Sequence, residues 1–207
     1  MRGTPALITL LLFGIVPAWA DDAMLTQVNG EVSVAGKSGS RAAVPFLKVA
    51  NGDKLSLGKN ARVQMVYFGN GRQEIWKGEG QIDVGSLEGR SGSMKPDVAQ
   101  LPPLVINQLA KTPAPGQQGR TGMVMVRSLG DPDALEHLEK QYGELRGRAV
   151  ADDTTPEVFL LSGLLDLKEY DKARKVLADL KTKQLTTPAF EPLVDHFTPV
   201  LERASAR

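Results

Sequence analysis

The side chains that could do chemistry are few in this chain. It has no cysteine and two histidines, His137 and His196, far apart in the sequence. They do not stand at a metal-ligand spacing from each other, and without cysteine there is no thiolate nucleophile. We therefore expect each histidine to be solvated or to cap a helix, and we predict no catalytic residue, no metal and no cofactor.

Acidic residues are the remaining candidates for catalysis. A glycosidase needs only two carboxylates that converge in space, so the 24 acidic residues keep a hydrolase open as the third-ranked hypothesis. Asp152 and Asp153 precede a helix start and favour it through the helix dipole. Asp166 interrupts an apolar helix, and we expect it at an exposed helix end.

The best candidate for a binding surface is the segment 67–77. Asn70 and Gly71 both tolerate the positive φ of a type I′ turn, so they predict a hairpin. Its candidate binding residues are Phe68, Arg72 and Trp76. Aromatic side chains with polar neighbours on a hairpin form a platform of the kind that glycan- and peptide-binding sites use.

The alternative for this hairpin is packing in the core. Alternation along a strand places Val63, Met65 and Tyr67 on one face. Buried aromatic side chains dominate core energetics, which favours the core for Tyr67 and Trp76. Phe68 then points the other way and is the better contact residue.

The hairpin lies in a region of strand-like periodicity that runs from residue 24 to about residue 89. Apolar residues alternate there in short runs between glycine-containing turns. The pairs are Val32 and Val34, Leu55 and Leu57, and Ile82 and Val84. Short strands at this spacing indicate an antiparallel sandwich, a barrel or a short solenoid.

The rest of the N-terminal part is less regular. Residues 89–122 are rich in loops, and within them 104–109 predict a short helix packed on the sheet. Residues 123–126 predict one more strand, followed by a domain boundary near Gly130. The predicted β domain therefore spans residues 21–130.

After the boundary the periodicity becomes helical. Asp131 suits an N-cap and Pro132 the first helical turn. The segment 158–167 is apolar nearly all round, so we expect it between neighbouring elements, and 169–183 is amphipathic. Residues 131–207 thus predict helical hairpins, and the fold class is α+β with the two parts segregated.

Three segments of the β region share short, glycine-centred motifs. They are Val-Asn-Gly-Glu-Val-Ser-Val from residue 28, Asn-Gly-Asp-Lys-Leu-Ser-Leu-Gly from residue 51 and Ala-Arg-Val-Gln-Met from residue 61. These motifs resemble the FecR-type periplasmic domain over about residues 25–88. The resemblance implies an all-β extracytoplasmic module, and its best-known members relay a signal from an outer-membrane receptor to a cytoplasmic sigma factor.

This sequence departs from those regulators, which begin with a cytoplasmic segment and a transmembrane helix. We therefore expect no direct contact with a sigma factor, only a β module that meets partners outside the cytoplasm. In the helical part, Glu169, Tyr170, Ala173, Leu177 and Leu180 resemble the second half of a tetratricopeptide repeat. A tetratricopeptide-like unit and an ordinary helical bundle both stay open.

The first twenty residues have the pattern of a secretory signal peptide. Arg2 precedes an apolar run over 6–16, and the small residues Ala18 and Ala20 predict cleavage after Ala20. The run is eleven residues long, whereas a spanning helix needs roughly 20. We predict export to a bacterial periplasm, with no transmembrane segment after cleavage.

Charge narrows the class of partner. The 25 basic and 24 acidic residues nearly balance, so nothing draws the chain to nucleic acid or to an anionic membrane. We predict a non-enzymatic scaffold or regulatory protein that binds a protein partner in the cell envelope. A peptidoglycan- or exopolysaccharide-binding protein is the alternative.

Overall fold

The fold is that of a computed structural model, which describes residues 21–37, 39–116 and 133–206. Within these residues, two five-stranded antiparallel sheets occupy the N-terminal part and helices the C-terminal part. The predicted class, α+β with an antiparallel sandwich and segregated helices, is confirmed. The predicted signal peptide, the strand at 123–126, and the capping residues Asp131 and Pro132 lie outside the described residues.

The two sheets are named here by what they face. The helix-facing sheet contains β1 (Ala23–Asn29), β4 (Lys48–Val49), β6 (Arg62–Tyr67), β7 (Arg72–Lys77) and β10 (Asp97–Gln100). Its strand order is β10-β7-β6-β1-β4. The outer sheet contains β2 (Val32–Gly36), β3 (Gly39–Ala42), β5 (Lys54–Leu57), β8 (Gly80–Val84) and β9 (Gly89–Arg90). Its strand order is β3-β2-β5-β8-β9.

Alternation along β6 explains how one sheet contributes to two cores. Successive side chains leave a strand on opposite faces. Val63, Met65 and Tyr67 point between the two sheets, as predicted, and are fully buried there. Gln64 and Val66 point to the other side and contact the helical part. The helix-facing sheet is therefore the middle layer of three.

The core between the sheets is made by the apolar pairs that the sequence places in short strands. All of these side chains are buried: Val32, Val34, Leu55, Leu57, Ile82 and Val84. Burial of such a side chain contributes about 1.5–3 kcal/mol. This core holds the sandwich together without disulfides.

The predicted hairpin joins β6 and β7, but its turn is not of type I′. Such a turn needs positive φ at both central residues, and within the loop 68–71 only Gly71 has it, at +72°. Asn70 acts through its side chain instead. Its Oδ1 accepts the Arg72 amide at 3.0 Å, and its Nδ2 donates to the carbonyl of Leu87 at 3.0 Å.

The helical part packs on the far side of the helix-facing sheet. The helices are α1 (Pro103–Ala110), α2 (Ala134–Arg148), α3 (Thr155–Asp166), α4 (Tyr170–Lys183) and α5 (Glu191–Ser205), with a one-turn 3-10 helix at Pro188–Phe190. Every residue of α3 from Thr155 to Leu165 is buried, as predicted for an apolar helix between neighbours. Among the described helices, none has the length and apolar character that crossing a membrane requires.

A polar layer joins the helices to the sheet. Gln64 donates from Nε2 to Asp153 Oδ1 at 2.8 Å and to Thr155 Oγ1 at 2.9 Å. Arg62 forms an ion pair with Asp152 beside them. The two aspartates were expected only to favour a helix start. Asp153 does accept the Thr155 amide at 2.9 Å, and both aspartates also fasten α3 to β6.

Candidate functional site

The three predicted binding residues have different surroundings in the structure. Trp76 is 1% exposed and lies between the sheets, on the core side that its aromatic character favoured. Phe68 is half-buried against the helical core, with Lys48 Nζ 6.0 Å from its ring centre. Only Arg72 reaches an open groove. The hairpin therefore does not assemble an aromatic platform in this structure.

His196 differs from the expectation of a solvated or capping residue. Its ring centre lies 4.6 Å from that of Phe46 and 5.2 Å from that of Phe197. Its Nε2 is buried without a partner among the described residues. Burial lowers its pKa to about 4, against the opposing effect of a hydrogen bond that the imidazole donates to the backbone carbonyl of Pro113. The reason is that α5 turns this position toward the loop before β4. His137 is exposed on α2, as expected.

Asp166 lies at the C-terminal end of α3, where the sequence placed it. Its Oδ2 accepts from Lys111 Nζ at 2.5 Å, and its side chain is about a quarter exposed. The pair links α3 to the end of α1. Asp166 thus has a structural partner and is not directed into a cleft.

The chemically distinctive feature of the sandwich is a carboxylate inside it. The side chain of Glu74 is 0% exposed. Its Oε1 accepts from Arg72 Nε at 2.5 Å, and its Oε2 accepts from Trp76 Nε1 at 2.9 Å. The Gly89 amide donates to both oxygens at 3.1–3.2 Å. A buried charge needs this pairing, because an isolated one carries a large desolvation cost.

The local sequence explains this arrangement. Residues 72, 74 and 76 of β7 share one face, because side chains alternate along a strand. Gly89 faces them from β9 of the outer sheet, and a Cβ there would lie 2.8 Å from Glu74 Oε2 and 3.0 Å from Trp76 Cζ2. Glycine is thus required by the close approach. The hydrogen bond from Gly89 to Glu74 ties the two sheets together.

Sequence reasoning missed Glu74. The sequence did contain a signal for its burial. An arginine, a glutamate and a tryptophan at alternate positions of a strand lie on the same face. The tryptophan was expected in the core, so the glutamate two residues before it had to be buried too. Burial of that carboxylate implies a cationic partner, which is Arg72.

Arg72 is held at one edge of its guanidinium and open at the other. Its Nε is bound by Glu74, and its side chain is 28% exposed. Within the described residues, neither of its two Nη atoms donates a hydrogen bond. These atoms carry four N–H donors in a planar fork, and a fork fixed on one side is preorganised for an anion on the other.

The groove in front of Arg72 has a volume of about 710 Å³. It is formed by three turns at one end of the sandwich, around residues 51–52, 70 and 85–88. Hydrogen bonds connect these turns: Gly52 N donates to Val84 O at 2.9 Å, and Asn70 Nδ2 donates to Leu87 O. The groove is therefore built on a braced scaffold.

Charges around the groove are mixed. The two other cations on its wall already have partners on the surface. Lys54 Nζ lies 3.2 Å from Asp83, and Arg90 Nη2 lies 3.5 Å from Glu88, with Arg90 80% exposed. Such exposed pairs contribute little and rearrange easily. Arg72 is thus the one cation of the described wall whose position is fixed by a buried partner.

A second cleft of about 390 Å³ lies at the same end and shares Asn51 and Gly52 with the first. Asp21 and Lys48 line it. Burial raises the pKa of Asp21, and the carboxylates of Asp22 and Asp53 add to this, while Lys48 opposes it. Burial lowers the pKa of Lys48. Lys48 Nζ donates to Ala110 O at 2.9 Å, so this lysine is committed to α1.

Neither a cluster of metal ligands nor a similar known protein gives a further indication of what this site binds. The described residues contain no group of three His, Asp or Glu side chains arranged to hold a metal ion. Comparison with protein-family models, curated proteins and solved structures gives no match for this chain. The FecR-like and tetratricopeptide-like resemblances therefore remain predictions from sequence motifs.

Proposed function

We propose that this chain is a non-enzymatic interaction protein of the bacterial envelope, which binds a protein partner at the turn end of its sandwich. The observation that carries the proposal is the arginine fixed by a buried glutamate at the mouth of an open groove. An arginine held in one geometry loses little side-chain entropy on binding, and arginines of this kind are common energetic centres of interfaces.

The FecR-like motifs and the N-terminal signal support the same proposal from the sequence side. A sandwich that carries its contacts on the turns at one end presents them on a rigid scaffold, which is how many extracytoplasmic β modules bind. The helical part would then brace the opposite face of the helix-facing sheet.

The test is photo-crosslinking in cells from two matched positions. A photoreactive amino acid replaces Ser86 in the groove or Thr182 on the exposed face of α4. Both residues are small, hydroxylated and exposed. We expect a discrete crosslinked product in the envelope fraction from position 86, lost when Arg72 is also changed to Ala. The proposal fails if position 86 gives no product, or gives the same products as position 182.

A further inference from the structure

We infer that the groove is a carboxylate-binding site, in which the Nη edge of Arg72 receives a carboxylate of an extended peptide segment of the partner. This inference rests on the proposed function and gives the chemistry of its contact.

The geometry of Arg72 selects a planar acceptor. With Nε bound to Glu74, the two Nη atoms remain as a pair of parallel donors. A carboxylate matches such a pair with two parallel hydrogen bonds. Because Glu74 is buried and also bound by Trp76 and Gly89, the guanidinium cannot swing away to follow a ligand.

The charge of the wall selects a monovalent anion. Asp83 and Glu88 line the same groove as Arg72. Each of these carboxylates is paired with a cation of the same wall, Lys54 or Arg90, and Arg72 is paired with Glu74. The groove therefore has no excess positive charge to offset the second charge of a phosphate dianion. A single carboxylate can accept both hydrogen bonds from the Nη atoms of Arg72 and is repelled less than a phosphate dianion.

The apolar rim selects a peptide over a sugar acid. Leu87 is 49% exposed and lines the groove. It offers contact area to an apolar side chain next to the carboxylate. None of the described residues that line the groove is aromatic, whereas sugar rings are usually bound against aromatic faces. Ser86 and Leu87 are exposed, and their amides donate no hydrogen bond within the described residues, so these amides are available for main-chain hydrogen bonds to a peptide.

The test is a titration of the ¹⁵N-labelled full chain with N-acetyl-leucine and, in parallel, with N-acetyl-leucinamide. The two probes differ only in the carboxylate. We expect saturable shifts of the Arg72 Nε–H signal and of the amides at 85–87 with the acid, and none with the amide. Equal shifts with both probes, or no saturable shift at these positions, would overturn the inference.

Two variants show whether the fork is responsible. Arg72→Gln is expected to weaken binding of the acid about tenfold or more. Arg90→Gln removes the same charge from the same groove and should change affinity less than about twofold, because Arg90 is exposed and not fixed. The reverse order would contradict the inference. The comparison of acid with amide on the unchanged chain stands even where Arg72→Gln fails to fold.

Two further probes separate the source of the anion. Digalacturonic acid represents an acidic glycan, and inorganic phosphate a dianion. Binding of either about tenfold tighter than N-acetyl-leucine, at the same residues, would overturn the assignment to a peptide carboxylate. Loss of acid selectivity with the Ser86 crosslink intact would refute only this inference. Acid selectivity without any crosslink would instead refute the proposed function.

Discussion

Arg72 and Glu74 lie two residues apart on one face of β7 and form an ion pair, with Nε and Oε1 2.5 Å apart. Glu74 is fully buried, and Arg72 opens onto solvent. The pair therefore has an inner member that serves stability and an outer member that is free to bind. Substitutions of Glu74 should therefore change stability, and substitutions of Arg72 should change binding.

The first prediction concerns the inner member. Glu74→Gln removes the charge that balances Arg72 and places an amide donor against Trp76 Nε1 or the Gly89 amide. We expect a loss of about 3 kcal/mol in the free energy of unfolding, measured by urea denaturation. Asp83→Asn breaks the exposed pair with Lys54 and should cost less than about 1 kcal/mol. Similar losses for both variants would show that Glu74 is not buried.

The second prediction concerns the approach of the two sheets. Gly89→Ala puts a methyl group against Glu74 Oε2 and Trp76 Cζ2. Overpacking of this kind costs about 1–3 kcal/mol. Gly92→Ala is the matched control, because a Cβ at Gly92 meets nothing within 4 Å, and its effect should stay within about 0.5 kcal/mol. Thermal unfolding measures the two variants, and equal melting temperatures would show that the sheets leave room for a methyl group at position 89.

The third prediction concerns the polar layer between sheet and helices. Gln64→Ala and Asp153→Ala each leave a buried partner unsatisfied, and each should cost about 1–3 kcal/mol. Since the two side chains contact each other, the double variant should cost less than the sum of the single ones. A coupling energy of about 0.5 kcal/mol or more is expected from a double-mutant cycle. Strict additivity would show that the contact does not form.

The fourth prediction is a pH dependence from His196. Its pKa is about 4 in the folded state and about 6.5 when unfolded. Between these values the unfolded chain binds a proton that the folded chain does not, so stability falls as the pH is lowered from about 6.5 to about 4. The loss is about 2 kcal/mol, from about 1.4 kcal/mol for each pKa unit with some solvent screening.

A pair of matched variants isolates that effect. His196→Gln should flatten the stability profile between pH 4 and pH 6.5, as measured by urea midpoints. His137→Gln, at an exposed position of α2, should leave the slope of the parent chain unchanged. An unchanged slope in His196→Gln would mean that His196 titrates normally.

Local pattern predicted most of the fold. Alternation placed Tyr67 in the core, and aromatic character placed Trp76 there. The nearly all-round apolar character of 158–167 placed this helix between neighbours. These features depend on residues close in sequence, where periodicity is informative. The turn type at Asn70 was wrong because that side chain bonds to Leu87, on another hairpin, which no local rule includes.

The candidate site was only partly predictable. Arg72 was identified as a candidate, but its buried partner Glu74 was not. Glu74 is held in turn by a hydrogen bond from Gly89 of the other sheet. Gln64 and Asp153 are 89 positions apart, and the ring of His196 packs against Phe46 from a distant loop. Such contacts follow from the packing of layers, and a single sequence does not specify which layers meet.

The central claim is that the partner reaches Arg72 through a carboxylate. It is tested most directly by repeating the crosslinking from position 86 in the presence of N-acetyl-leucine or N-acetyl-leucinamide. The account predicts that the acid abolishes the crosslinked product in a dose-dependent manner and that the amide leaves it unchanged. A product that survives saturating acid, or that both compounds remove equally, would contradict the claim.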